Sequence, residues 1–200
     1  SLSRAKEIAR RERREPISVC YMGYINSTLY IDWLYEVVAN PRLFLYLVGP
    51  VQKFDISRLY KYTNFKWIAP LEGQALQELL ETMDVCIMPY DIKQEGPRNT
   101  NAPNKLFQYL ACGNPVVISD MPNFIELSEG FIYRARNSKE FIKKIFEAHE
   151  YNTEELIIAR VKLALQNTWD EKGEQIHSIL ESFSIDEKDH FGVRPYTAVS

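Results

Sequence analysis

The sequence predicts an α/β domain, a doubly wound parallel sheet of about six strands with extra C-terminal helices. Three observations predict it. Six short runs rich in β-branched and aromatic residues alternate with segments of helical period. Most of those runs are almost continuously apolar, as strands covered on both faces are, and not alternating, as strands with one wet face would be. Glycines and prolines fall at the joins between the two kinds of segment.

The elements follow in order. Ile17 to Met22 is the first strand, closed by Gly23. Leu29 to Ala39 has apolar residues at helical spacing and stops before Pro41. Leu43 to Val48 is the second strand, ended by Gly49-Pro50, and Ile56 to Tyr62 is a short helix. Phe65 to Ile68 is the third strand, with Pro70 at its edge. Gln74 to Met83 is helical, and Val85 to Met88 is the fourth strand, stopped by Pro89. Asn104 to Cys112 is a helix in which Pro103 suits the first position and Gly113 the stop. Pro115 to Ile118 and Phe131 to Tyr133 are the last two strands, and Ser138 to His149 packs after them as a helix. Residues 153–184 read as two more helices without a strand, broken near Asn167-Thr168. No internal repeat is visible.

These signals divide the chain into a charged linker or helix over residues 1–16, a main domain over 17–184 and an irregular tail over 185–200. Residues 4–15 carry six basic and three acidic side chains with little apolar support. They read as a solvated linker helix, and the rival reading is peripheral contact with an anionic membrane surface. The start is too charged for a signal peptide, and Ser1-Leu2 without an initiator Met reads as the edge of a piece of a longer protein.

Composition removes several function classes. Twenty-four Lys and Arg against 27 Asp and Glu leave a net charge of −3, which argues against a nucleic-acid partner. No apolar run approaches the roughly eighteen residues of a membrane span. Cys20, Cys86 and Cys112 are odd in number and form no C-x-x-C pattern, so they read as reduced thiols of a cytoplasmic protein. No cysteine-based metal site, metal-ligand cluster or cofactor is expected. Neither a G-x-G-x-x-G nor a P-loop occurs, and His149, His177 and His190 all lie late in the chain, away from the predicted strand ends.

Ligands of an open parallel sheet bind beyond the carboxyl ends of the strands, so the residues there are the candidates. They are Gly23-Tyr24-Ile25-Asn26-Ser27, then Gly49-Pro50-Val51, then Pro89-Tyr90-Asp91, and Ser119-Asp120. The loop from Asp91 to Ala102 is long for a compact domain. It feeds the helix Asn104 to Cys112, where Asn104, Lys105, Gln108 and Cys112 fall within about a 100° arc. Leu106, Phe107 and Leu110 lie opposite and should pack on the sheet. Free amides at the helix N-terminus together with Lys105 favour a phosphate-bearing ligand, and Gln108 can hydrogen-bond paired hydroxyls such as those of a ribose.

The order of these motifs carries a resemblance. Tyr21-Met22-Gly23-Tyr24, Leu47-Val48-Gly49-Pro50, Asp84 to Tyr90, and Pro103-Asn104-Lys105-Leu106-Phe107-Gln108-Tyr109-Leu110-Ala111-Cys112-Gly113-Asn114-Pro115-Val116-Val117 follow one another as they do in one family. They resemble the C-terminal, donor-nucleotide-binding domain of GT-B fold retaining glycosyltransferases, the glycosyl transferases group 1, with their P-x-K-L-(F/Y)-E-Y-L-A-x-G-x-P-V-V block. The likeness runs over residues 17–183 and includes Trp169-Asp170-Glu171. It implies a Rossmann-like half of a GT-B fold and transfer of a sugar from a nucleotide-diphospho-sugar, by family frequency a UDP-sugar, to a glycan or lipid-linked acceptor. It also implies that Gly23, Tyr24, Asn104 and Lys105 face the donor diphosphate, that Ala69 and Pro70 border the base, and that Gln108 meets the ribose. No metal or cofactor is implied. The acceptor and the catalytic groups belong to an N-terminal domain that the chain lacks, so the catalytic residues stay unassigned and the chain is expected to be inactive alone, its expected service being a bacterial cell-surface polysaccharide at the inner membrane face.

Three departures from the family pattern stand out. Gln108 replaces a glutamate, and the family's earlier glutamate, a donor-sugar contact, falls at Thr100. Asp91 or Asn101 would have to take over that contact. The basic residues many relatives carry after the first strand are absent, which leaves Lys105, with Arg98 or Lys93. Gln108 and Thr100 keep open a rival, a degenerate nucleotide-sugar-binding or interaction module; a second rival, a non-hydrolysing nucleotide-sugar epimerase, shares the fold but would want catalytic carboxylates and a histidine in the cleft.

Overall fold

A computed structural model of the chain describes residues 2–9 and 15–167. The expected break at Asn167-Thr168, the Trp169-Asp170-Glu171 stretch, the tail over 185–200, His177 and His190, and the middle of the charged segment fall wholly or partly outside the described residues. The elements are α1 (Leu2–Ala9), β1 (Ile17–Met22), α2 (Ile31–Ala39), β2 (Leu43–Val48), a 3-10 helix (Ser57–Lys61), β3 (Phe65–Ile68), α3 (Gly73–Glu81), β4 (Val85–Met88), α4 (Glu95–Arg98), α5 (Asn104–Ala111), β5 (Val116–Ser119), β6 (Ile132–Ala135), α6 (Ser138–Glu150) and α7 (Glu154–Leu165).

All pairings within the six-stranded sheet are parallel, in the order β3-β2-β1-β4-β5-β6. The chain winds outward from β1 to one edge, then returns to β4 beside β1 and winds to the other edge. The switch point therefore lies between β1 and β4, where only Val19↔Val85 and Cys20↔Cys86 are register partners.

Helices cover both faces, which is why the central strands are almost continuously apolar, with Ser18 in β1 and Ser119 in β5 as the exceptions. One face buries Val19, Ile87 and Val117 under Trp33, Leu34 and Val37 of α2 and Phe141 and Ile145 of α6. The other buries Cys20, Cys86, Met88 and Val116 under Leu76 and Leu80 of α3 and Leu106, Tyr109 and Leu110 of α5. β4 and β5 are buried at every position, whereas the edge strands β3 and β6 are covered only in part, with Lys66 and Trp67 of β3 exposed.

Several expectations are corrected in detail. The segment Leu29 to Ala39 turns helical only at Ile31, because Leu29 bridges Tyr90 and the Tyr30 N–H donates to the Pro89 carbonyl at 2.8 Å. The segment Ile56 to Tyr62 is a 3-10 helix over Ser57–Lys61. The last two strands are Val116–Ser119 and Ile132–Ala135, each beginning one residue later than the apolar run suggests. Phe131 closes a turn instead, its N–H donating to the Ser128 carbonyl at 3.2 Å.

Two buried or half-buried arginines tie the later loops. Arg134 donates to the carbonyls of Met121 (2.8 Å) and Phe124 (2.9 Å) in the β5–β6 connection. Arg160 of α7 is fully buried and donates to the carbonyls of Gly113 (2.8 Å) and Gly130 (2.6 Å) and to the Asn152 side chain. Burial lowers its guanidinium to about 10, still far enough above neutrality to keep the charge. No helix among the described residues is long and apolar enough to cross a membrane.

Candidate functional site

At the carboxyl end of the sheet, β1 and β2 leave through two glycines held against each other. Gly23 has φ +134° and Gly49 φ +130°, a region other residues avoid. The Gly23 N–H donates to the Val48 carbonyl at 2.9 Å, and the Gly49 N–H to the Ile68 carbonyl at 3.0 Å. The loops continue side by side through the Ile25↔Val51 bridge, so the turn after β1 is fixed by β2, and β2 by β3. A side chain on Gly49 would start 2.3 Å from the Gly23 carbonyl oxygen.

Over this turn sits Lys105. A Cβ on Gly23 would lie 2.5 Å from its Nζ, so the missing side chain of Gly23 is the space the ammonium uses. Tyr21, the fifth residue of β1, and Tyr90, two residues past β4, flank it with their rings. The ammonium lies 4.7 Å from the Tyr21 centroid and 5.2 Å from that of Tyr90, within cation–π range of both. The rings meet edge-on at 6.3 Å. Lys105 Nζ donates to the Tyr21 hydroxyl at 3.2 Å, and that hydroxyl donates to the Tyr24 carbonyl at 2.9 Å. Burial, with Tyr90 beside it, pushes the Tyr21 phenol well above its ordinary range, so it stays protonated for that donation.

The helix that carries Lys105 is registered to the same strand. Tyr109 of α5 is fully buried, and its hydroxyl accepts the Met22 N–H at 2.7 Å, one residue before the glycine turn. Pro103 is the N-cap and not the first helical residue, with φ −69° and ψ 144°, and no side chain caps the helix. The Leu106 N–H donates to the Pro103 carbonyl at 2.9 Å, which leaves the Asn104 and Lys105 amides ahead of the first helical bond, where the helix dipole favours an anion.

The predicted site residues divide into two groups. Gly23, Tyr24, Asn104 and Lys105 come together at the switch point, with Gln108 exposed one turn along α5, about 4.5 Å further by helix rise. Ala69 and Pro70 are exposed after β3, two strand spacings or about 10 Å from β1. Tyr24 has its carbonyl occupied and its ring 58% exposed. Cys112 does not share the wet face of α5. It is buried, with its thiol toward the Gln77 carbonyl, because α3 packs over that side of the helix end.

Asp91 is committed to its own loop. Partial burial raises its carboxyl, but donation from the Lys93 N–H, Gln94 and Tyr30 outweighs that and holds it below the usual range. Asn101 is exposed in the loop, and the Thr100 hydroxyl donates to the Gly96 carbonyl at 3.0 Å. The loop holds a four-residue helix, α4, and Lys93, Glu95, Arg98, Asn99 and Asn123 line an open recess of about 480 Å³ beside it. A larger recess of about 720 Å³ runs along the outer edge of β6, against Tyr133 and Lys144, and includes none of the residues singled out from the sequence.

His149 lies at the opposite end of the sheet, 4.0 Å from Asp84, which precedes β4. Among the described residues no three His, Cys, Asp or Glu side chains are grouped to hold a metal ion. Tyr21 and Tyr90 are the site residues that sequence reasoning left without a role. Tyr90 stands directly after a strand end, but its partner Lys105 is fifteen residues away, and no spacing rule joins them to Tyr21.

The fold is a doubly wound α/β domain with polar residues gathered at its switch point, where such domains hold their ligands. The chain belongs to the glycosyl transferases group 1 family, whose model matches residues 17–150. It is 30% identical over 124 residues to TuaH of Bacillus subtilis (strain 168), a protein to which a glycosyltransferase role in teichuronic acid biosynthesis is attributed. That match takes in 60% of this chain and 31% of TuaH, so the chain spans about a third of that relative's length. Among solved structures, the catalytic domain of cholesterol-alpha-glucosyltransferase from Helicobacter pylori superposes with a TM-score of 0.58 at 17% identity, covering 76% of this chain and 99% of that one. HepE from Anabaena, solved in complex with UDP, superposes at 0.62 and 15% identity, covering 91% and 53%. These two likenesses show a shared fold.

Proposed function

We propose that the chain is the donor-nucleotide half of a glycosyltransferase, inactive alone, that binds a nucleotide-diphospho-sugar at the β1/β4 switch point. The single observation that carries this reading is the Lys105 ammonium. It is held over the side-chain-free turn at Gly23 and beside the uncapped N-terminus of α5. A diphosphate placed there meets one fixed cation and the amides of Asn104 and Lys105. Gln108 lies along α5 for the ribose hydroxyls, and Ala69 and Pro70 border the base. HepE was solved with UDP and with UDP-glucose, which makes uridine donors the first to test.

In the whole protein, a second domain supplies the acceptor, a glycan or lipid-linked sugar, and the groups that complete retaining transfer of a hexose. The role attributed to TuaH, in teichuronic acid biosynthesis, favours an acceptor in polysaccharide biosynthesis. On this reading the nucleotide-sugar-binding domain takes in the described residues from β1 to α7, and the site is read without a metal or cofactor. Asn101 is the donor-sugar candidate left in the loop, since the Asp91 carboxylate is already bound by three donors.

Calorimetric titration with UDP and uridine tests the reading. Lys105→Ala is expected to weaken UDP about tenfold or more, the worth of a hydrogen bond to a charged group, and to leave uridine unchanged. Equal losses for both would show that Lys105 does not face phosphate. Gln108→Glu is expected to preserve or tighten UDP binding, because a carboxylate accepts the two ribose hydroxyls more strongly than an amide. Abolished binding would mean that α5 presents another face. A second reading, a binding module without transfer, is favoured by Gln108 itself and by the committed Thr100 hydroxyl. Sugar transfer by the whole protein would exclude it.

A further inference from the structure

We infer that Tyr21 is a positioning residue for the donor diphosphate, acting through Lys105, with Tyr90 as the second wall. The inference rests on the diphosphate reading of the site. A lysine on a four-carbon stem ordinarily samples many rotamers, and holding it costs entropy at the moment of binding. Here that cost is met in the free protein. Tyr21 offers its ring face at 4.7 Å and its hydroxyl at 3.2 Å to the same ammonium, and Tyr90 covers another side at 5.2 Å. The Tyr21 hydroxyl is itself held by the Tyr24 carbonyl at 2.9 Å, so one phenol links the cation to the turn after β1. An ammonium has three N–H bonds, and Tyr21 takes one, which leaves two for phosphate oxygens. Lys105 is the cation held at the turn itself, so its placement is consequential.

Double-mutant titrations test the inference. Tyr21→Phe keeps the ring and removes the hydroxyl. UDP affinity is expected to fall about three- to tenfold, with uridine affinity unchanged. Tyr90→Leu is expected to cost about two- to fivefold for UDP. Because Tyr21 acts through Lys105, adding Tyr21→Phe to Lys105→Ala should cost nothing further. Additive losses in that cycle, or equal losses for UDP and uridine, would assign Tyr21 a structural role and overturn the inference. Wild-type UDP affinity in Tyr21→Phe would do so as well. If Lys105→Ala leaves UDP binding intact, or the wild-type chain binds no nucleoside diphosphate, the diphosphate reading fails and takes the inference with it. The Lys105→Ala result therefore separates the two failures.

Discussion

Gly49→Ala is expected to destabilise the domain by about 3 kcal/mol or more and to disable the site at the same time. Two costs add. The backbone at φ +130° is one that an L side chain rarely adopts. The new Cβ would also stand 2.3 Å from the Gly23 carbonyl oxygen, and that neighbour is backbone, not a side chain that can swing away. Relief requires the ends of β1 and β2 to part, which breaks the Gly23 N–H bond to Val48 and shifts the turn under Lys105. Gly23→Ala makes the contrast. Its Cβ would meet the Lys105 ammonium at 2.5 Å, a flexible end that can move, so beyond the backbone strain at φ +134° the damage falls on ligand binding. Thermal denaturation of the Gly49 variant is the check. A loss under about 1 kcal/mol would mean the two turns are less closely apposed than described.

Arg160→Met has the second large expected effect, a loss of about 3 kcal/mol, or about 6–12 °C in Tm for a domain of this size. The guanidinium satisfies the carbonyls of two buried glycines, one where α5 ends and one just before β6, together with Asn152. Methionine fills much of the volume but donates nothing, and two buried carbonyls lose their partner at about 1–3 kcal/mol each. Part of that is offset, because the desolvation that lowers the guanidinium to about 10 disappears with it. An unchanged or raised Tm would show that water replaces the guanidinium at both carbonyls.

The strands were legible because most are nearly continuous apolar runs, buried at every position in β4 and β5, and such runs need no partner to be recognised. Leu43–Val48 and Val85–Met88 appear as read. Errors fall where tertiary contacts decide local structure. Leu29 belongs by pattern to α2 but is claimed by a bridge to Tyr90. Arg134 sits inside β6, a polar residue no strand pattern would include, because its guanidinium binds loop carbonyls. α4 passed unseen, since Glu95-Gly96-Pro97-Arg98 carries no period to detect.

The candidate site was legible in its parts and not in its assembly. Gly23 and Lys105 could each be placed at a strand end or a helix start by rule. That one occupies the space vacated by the other depends on β1 and β4 being neighbours, a matter of strand order. Cys112 shows the limit of helical-wheel reasoning, which places a residue on a face but does not say that a neighbouring element, here α3, covers it.

The three cysteines have a consequence for chemistry done on the molecule. Cys20 and Cys86 face each other across the central strand pair, and Cys112 closes α5, all buried. Burial pushes Cys20 and Cys112 up to about 12 and Cys86 well above its ordinary range, so at neutral pH none presents a thiolate. An alkylating reagent meets no nucleophile until the sheet opens. The protein thus contains its own clock for unfolding, with two hands on the innermost strands and one on the helix that carries Lys105.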